Sequence, residues 1–320
     1  VLLILTNSID GTADVLVHLC AAQDRAVFRF NIDLWLDYRF AWTQEGFAIR
    51  DPSGRSIRSE DVTCCLWRRP SLQETPAWRG GTAEDRAATE AELHAIVREI
   101  AEWARARGRL RLIEPAAPRR VGRLAQMRVA RDFFQVPDWS VGWGFCWPAG
   151  ARMVKRFVPE PLGHARDQHI FVQSVDAARL SPHWPWLTQE IAPGLRDATV
   201  LFVNGQCFGF EMRRTRAELG IEDWRTLPES GREHWRAWPL PRDVDGRVAN
   251  LMRRLGLRFG RLDFLTGEDI AFLEVNPNGQ FGWLDDPGAW PLHRAVLAAV
   301  HDPASAIRGD EVVGEAADGR

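Results

Sequence analysis

Lysine is all but missing from this chain. Of its 41 basic residues only Lys155 is a lysine, so the other 40 are arginine. Cysteine is scarce and odd in number: Cys20, Cys64, Cys65, Cys146 and Cys207 show no metal-type spacing. That pattern argues against a disulfide scaffold and suits a reducing compartment, so the cytoplasm is the expected location. No apolar run approaches the roughly 20 residues that a membrane helix needs. Residues 1–6 are too short for a signal-peptide core and read as a buried strand. A basic excess is lacking too. The formal net charge of -2 argues against a general nucleic-acid binder.

What is present describes a globular α/β protein. The 320 residues are too many for one small domain and suit two or three packed lobes. Apolar residues 1–6, 27–30 and 64–67 read as strands, with a helical spacing over 13–23 between the first two, which predicts a small parallel lobe. Cys64 and Cys65 adjoin on a strand and so should face opposite sides. Residues 83–107 carry Leu93, Ile96, Val97, Ile100 and Trp103 at helical spacing. Further strands are expected at 110–113, 153–157, 170–175, 199–203, 206–212, 259–265 and 270–275, and helices at 123–134, 244–255 and 292–299. Asn204-Gly205 is the strongest short hairpin signal.

The second hairpin, residues 260–276, carries the chemistry. Glu274 and Asn276 lie two apart and share a strand face, with Leu273 and Val275 on the other side. A four-residue turn over 266–269 would pair Leu265 with Ile270. Asp263 would then stand opposite Phe272 and diagonal to Glu274, roughly 7–8 Å away at Cα. Two carboxylates and a carboxamide oxygen would converge, a hard-oxygen set that suits Mg²⁺ at about 2.0–2.1 Å. Two like charges so close repel unless a cation joins them. Gly279-Gln280-Phe281-Gly282-Trp283 follows directly, and glycines flanking aromatics suggest close backbone approach. Lys155 is the second candidate: a compact ammonium fits against a phosphate where the wide guanidinium fork does not. A solvated hairpin face and a chance surface lysine are the plain alternatives.

The segment Glu274-Val275-Asn276-Pro277-Asn278-Gly279-Gln280-Phe281-Gly282-Trp283 resembles the terminal motif of microviridin-type ATP-grasp peptide ligases, the graspetide maturases. Arg29-Phe30-Asn31-Ile32-Asp33, Trp67-Arg68-Arg69-Pro70, Val136-Pro137-Asp138, Asp223-Trp224-Arg225 and residues 255–263 are similar to other motifs of that family. The resemblance implies an ATP-grasp fold: an N-terminal Rossmann-like lobe over 1–118, a small α+β lobe over 119–188 and a C-terminal α+β lobe over 189–304; the Gly-, Ala-, Asp- and Glu-rich composition of 305–320 predicts a flexible tail. The resemblance also implies ATP and Mg²⁺ as cofactors, and a precursor peptide with a leader and an acidic core as partner, in a homodimer. Residue by residue, Arg123 and Lys155 would contact phosphates, and Gln189, Glu190 and Ile191 would form the adenine hinge. Arg196 and Arg225 would face the acyl phosphate. Asp263, Glu274 and Asn276 would hold Mg²⁺, and residues 158–169 would form a lid.

Two positions depart from that pattern. Such ligases usually carry a lysine where Arg123 stands, and related folds often have a carboxylate where Gly194 stands. The implied activity is ATP-dependent joining of Asp or Glu side chains to Ser or Thr hydroxyls or Lys amines. A ligase of free amino acids or other small carboxylates is one alternative, and a non-catalytic peptide or nucleotide binder is another. Two further readings stay open on the residues alone. Residues 182–186, rich in tryptophan, could be a peptide platform or a core edge. Arg213, Arg214 and Arg216 could attract an acidic peptide or form a solvated face.

Overall fold

The computed structural model describes residues 1–72, 82–144, 147, 150–155, 173–190, 195–221, 223–224, 227 and 232–307. Ile191 and Arg225, and the expected lid at 158–169, lie outside them.

The chain opens with β1 (Leu2–Thr6), α1 (Gly11–Ala21) and β2 (Val27–Asn31). A three-stranded antiparallel sheet follows, β3 (Arg39–Thr43), β4 (Gly46–Arg50) and β5 (Ser56–Arg58), and then β6 (Cys64–Trp67), α2 (Ala83–Ala106) and β7 (Leu110–Arg111). Strands β2-β1-β6-β7 form a parallel sheet in that order. The unbroken apolar run of β1 is buried throughout, as a parallel strand covered on both faces requires. Leu2, Ile4 and Cys64 face one core, while Leu3, Leu5 and Cys65 face another against α2. The adjoining cysteines do point apart.

After α3 (Ala117–Arg120) and α4 (Arg123–Ala130) come β8 (Trp139–Gly142), β9 (Ala151–Lys155), β10 (Gln173–Asp176) and β11 (Trp186–Gln189), an antiparallel sheet ordered β10-β9-β11-β8. The final sheet is built from β12 (Arg196–Val203), β13 (Gln206–Met212), β14 (Trp235–Ala237), β15 (Phe259–Thr266) and β16 (Ile270–Asn276), with α5 (Arg216–Leu219), α6 (Arg242–Arg254) and α7 (Pro291–His301) around it. Its order is β14-β13-β12-β15-β16. Asn204 (φ 46°) and Gly205 (φ 95°) close the β12–β13 hairpin in two residues. Positive φ at both is what a type I′ turn demands.

One face of this five-stranded sheet buries Ala198, Val200, Phe202, Leu262, Phe264, Phe272 and Val275 against α4 and α6. On the other, Leu201, Val203, Met212 and Trp235 join Phe281 and the apolar stripe of α7 in a core continuous with Leu2 and Ile4 of the N-terminal sheet and Leu16 of α1. The first and last parts of the chain therefore share one hydrophobic core. That core brings the ends of β1 and β6 against the loop after β16.

Candidate active site

The β15–β16 register differs from the sequence expectation. Thr266 pairs with Ile270 and Phe264 with Phe272, but a bulge then shifts the ladder so that Asp263 pairs with Glu274 and Arg261 with Asn276. The expected diagonal is thus a direct pairing, and such partners sit about 4.5–5.5 Å apart at Cβ. Leu273 is the extra residue, so it does not share a side with Val275 in a regular alternation. The reason is packing. Phe272 and Val275 are both buried in the α4–α6 core, three residues apart, which a period of two forbids without a bulge. Correcting the alternation there puts Asp263 and Glu274 side by side on the face away from that core.

Each carboxylate is held. Thr199, opposite Asp263 on β12, has its hydroxyl 3.0 Å from Asp263 Oδ1. Arg261 Nη2 donates to Asp263 Oδ2 at 3.1 Å, and its Nη1 donates to the Gln280 carbonyl at 3.1 Å. Arg123, the first residue of α4, donates from Nη1 to Glu274 Oε2 at 2.5 Å. Behind the strand, buried Gln126 accepts from Val275 N at 2.8 Å and donates to the Val121 carbonyl at 2.8 Å. The amide of Gln126 therefore fixes α4 against β16, and with it the placement of Arg123. The exposed Asn276 ends the strand, its Oδ1 lying 3.4 Å from Asn278 N. At Gly279 an added Cβ would meet Arg261 Cβ at 2.7 Å, so the loop can lie over Arg261 only with glycine there.

Gln189 is buried at the end of β11, with Nε2 3.4 Å from Met127 Sδ on α4. The Glu190 backbone N–H donates to the Asp138 carbonyl at 2.8 Å, leaving the side chain exposed. Lys155 ends β9 at the position paired with Leu187 of β11. Arg196 opens β12 opposite Thr266. In the strand's alternation it takes the side of Ala198 and Val200, not that of Thr199, and its charge acts on Glu218. The arrangement brings Asp263, Glu274, Asn276 and Arg123 together, and sets Gln189 of β11 against Met127 of α4, the helix that carries Arg123.

Two contributions escaped the sequence reading, and a third, Arg216, figures there only as a peptide contact or a solvated charge. Arg261 was findable, since it lies two residues before Asp263 and so shares its face. Thr199 required the β12 register. Arg216 grips Asp197 through Nε at 2.6 Å and through a second bond from Nη2, so it is neither a solvated charge nor simply open to a peptide. Asp197 lies two residues before Thr199, on its face. Trp224, Trp235 and Trp283 pack on one another, the ring centroids of Trp235 and Trp283 lying 5.3 Å and 4.9 Å from that of Trp224, tying the Asp223-Trp224 segment to the Phe281-Gly282-Trp283 turn.

The motifs of the N-terminal sheet meet at its carboxyl edge, where open α/β sheets bind ligands. Asn7 Nδ2 donates to the Arg69 carbonyl and Ser71 Oγ, each at 2.9 Å. Asp33 accepts from Ser8 N at 2.9 Å. Arg68 is buried, with Nη2 3.3 Å from Thr12 Oγ1 and Nε 3.5 Å from Asp10 Oδ2. Burial pushes its pKa down to about 10, against the pull of the Asp10 carboxylate. Its Nη1 reaches Asn278, two residues past Asn276.

No family model matches the chain, and no curated protein matches it in sequence. Solved structures do. A Chryseobacterium gregarium RiPP-associated ATP-grasp ligase, in complex with ADP and a leader and core peptide, aligns over 97% of this chain and 99% of its own, with a TM-score of 0.82 and 18% identity. The macrocyclase MdnC of Microcystis aeruginosa MRC, bound with precursor peptide MdnA, covers 93% of this chain and 98% of its own at a TM-score of 0.76 and 21% identity. The ATP-grasp ligase PsnB, complexed with minimal precursor, Mg and ADP, covers 93% and 97% at 0.65 and 14%. Over nearly its whole length, this chain has the ATP-grasp fold in the form taken by RiPP-associated peptide ligases.

Proposed function

We propose that this protein is an ATP-dependent, Mg²⁺-dependent ligase that closes rings in a ribosomally made precursor peptide. The observation that carries the reading is the pairing of Asp263 with Glu274 beside Arg123, on a fold shared with RiPP-associated ATP-grasp ligases. Two carboxylates and the Asn276 carboxamide fit magnesium: Mg²⁺ takes one or two carboxylates and keeps its other positions for phosphate oxygens and water. When bound, the ion neutralises charge on the phosphates during transfer.

The chain's own residues do the rest. Gln189, Glu190 and Ile191 receive the adenine edge, with the buried Gln189 packed against Met127 of α4. Lys155 and Arg123 contact the phosphates as cations of different shape. A side-chain carboxylate of the peptide attacks the γ-phosphate, ADP leaves, and an acyl phosphate forms. Arg225 is proposed to hold its charge, since guanidinium matches carboxylate and phosphate bidentately, whereas Arg196 starts from the opposite face of β12 and does not take that role. A Ser or Thr hydroxyl, or a Lys amine, then attacks the acyl carbon and phosphate leaves, giving an ω-ester or ω-amide. Positioning and charge neutralisation are what such phosphoryl transfer requires.

The three-lobe division at 118, 188 and 304, a homodimeric assembly and a cytoplasmic location belong to the same reading. Among the described residues no helix is long and apolar enough to cross a membrane. ADP release measured with Mg²⁺, ATP and an acidic, hydroxyl-rich peptide tests the proposal. Release should depend on both the peptide and the metal. Peptide-independent release stimulated by free amino acids would instead favour a small-substrate ligase.

A further inference from the structure

The two carboxylates that would hold the metal are each already matched by a guanidinium. Arg123 pairs with Glu274 and Arg261 with Asp263. Among the described residues, two negative and two positive groups stand paired there. The two arginines differ in how they are held. Arg261 is nearly buried, its side chain 9% exposed, and is fixed at both ends, by Asp263 and by the Gln280 carbonyl. Arg123 reaches Glu274 from the first turn of α4 and is 24% exposed.

We propose that Arg123 makes metal entry conditional on the nucleotide: a divalent cation binds at Asp263 and Glu274 only together with the triphosphate, and Arg123 passes from Glu274 to a phosphate as it does. This rests on the assignment of those carboxylates as metal ligands. A free divalent cation approaching the cluster meets two guanidiniums, and their repulsion cancels the attraction of the carboxylates. It also sheds its tightly held water for no gain in charge. A metal–triphosphate complex carries net negative charge, so it compensates both arginines. Guanidinium matches phosphate as well as carboxylate, so Arg123 exchanges one oxyanion for another without being left unpaired. Arg261, held at both ends, stays on Asp263 and keeps that carboxylate aimed.

Electron paramagnetic resonance of Mn²⁺ bound to the full chain, with and without a non-hydrolysable ATP analogue, tests this. The natural chain should take up Mn²⁺ with the analogue present and not with the metal alone. Arg123→Gln should bind Mn²⁺ alone, with affinity roughly tenfold or more above the natural chain, because one opposing charge is gone. Arg123→Lys keeps the charge and should again refuse the lone metal. It also serves if the glutamine variant fails to fold. Equal Mn²⁺ affinity with and without the analogue in the natural chain overturns the proposal. So does lone-metal binding by Arg123→Lys equal to that of Arg123→Gln. Asp263→Asn and Glu274→Gln separate this from the underlying assignment: if both bind Mn²⁺ with the analogue as well as the natural chain does, the metal sits elsewhere and the assignment itself falls.

Discussion

Arg68 Nη1 donates both to the Asn278 carbonyl, at 3.0 Å, and to Asn278 Oδ1, at 2.6 Å, joining residues 210 positions apart. One buried guanidinium thereby ties the carboxyl edge of the N-terminal sheet to the loop that ends the proposed metal strand. Asp10, Thr12 and the Phe281 ring complete its surroundings. The loop that follows Asn276 is held from the other end of the chain, so the geometry of the site depends on how the first and last parts pack.

Replacing Arg68 should accordingly be costly. Arg68→Ala leaves Asp10 buried without its cation and removes both anchors from Asn278. Breaking a buried ion pair from one side costs about 3–5 kcal/mol. Denaturant unfolding should show a loss of that order, and Arg68→Lys should recover only part of it, since an ammonium cannot span the same partners. A change within about 0.5 kcal/mol, the range of an ordinary surface substitution, would contradict the placement.

Gln126 offers a purely structural test. Gln126→Leu fills similar space but leaves Val275 N without its acceptor, and an unmet buried amide costs about 1–3 kcal/mol. Chemical denaturation should show that loss. Turnover should fall as well, because α4 and Arg123 would no longer be fixed against β16. A variant as stable and active as the natural chain would show that the contact does not matter.

Glu274→Gln and Asp263→Asn each keep size and remove one charge. Loss of one preorganised electrostatic contact commonly costs about 10²–10³ in turnover, and ADP release should fall at least that far, with thermal unfolding little changed. Lys155→Ala should abolish release too. Rates near the natural value in any one of these variants would remove that residue from the site.

Stability should fall in mild acid. His293 is buried, with Asp285 Oδ2 2.5 Å from its Nδ1. Burial lowers its pKa from the ordinary 6.5, and the Asp285 carboxylate opposes that shift without reversing it. Because the folded value lies below the unfolded one, the unfolded chain takes up the proton first as pH drops. This contribution is therefore complete above about pH 6.5 and shrinks below it, towards the lowered folded value. His94 and His301, also lowered mainly by burial, act in the same direction. Denaturant midpoints at pH 7.5 and 5.5 should fall with pH, and less steeply in His293→Asn. Greater stability at the lower pH, or an unchanged slope in the variant, would count against the neutral buried imidazole.

How much of this was legible in the sequence follows from the range of each interaction. The Asn204-Gly205 turn and the opposed Cys64 and Cys65 are local, and periodicity suffices for them. The bulge at Leu273 was signalled, since Phe272 and Val275 are too far apart for one face of a regular strand, but reading it required knowing that both are core. The β3–β5 sheet escaped because β3 is mostly exposed and carries no clean alternation. Arg123 on Glu274 and Arg68 on Asn278 join segments 151 and 210 residues apart. Residue types can nominate such partners, but only the packed chain pairs them.

The most direct test is the intact mass of an acidic, hydroxyl-rich precursor peptide co-expressed with the natural chain and, in parallel, with Glu274→Gln. The account predicts loss of one water for every bond formed with the natural chain, and an unchanged mass with the variant. An unchanged peptide from the natural chain, shown in the same preparation to bind both nucleotide and peptide, would contradict it.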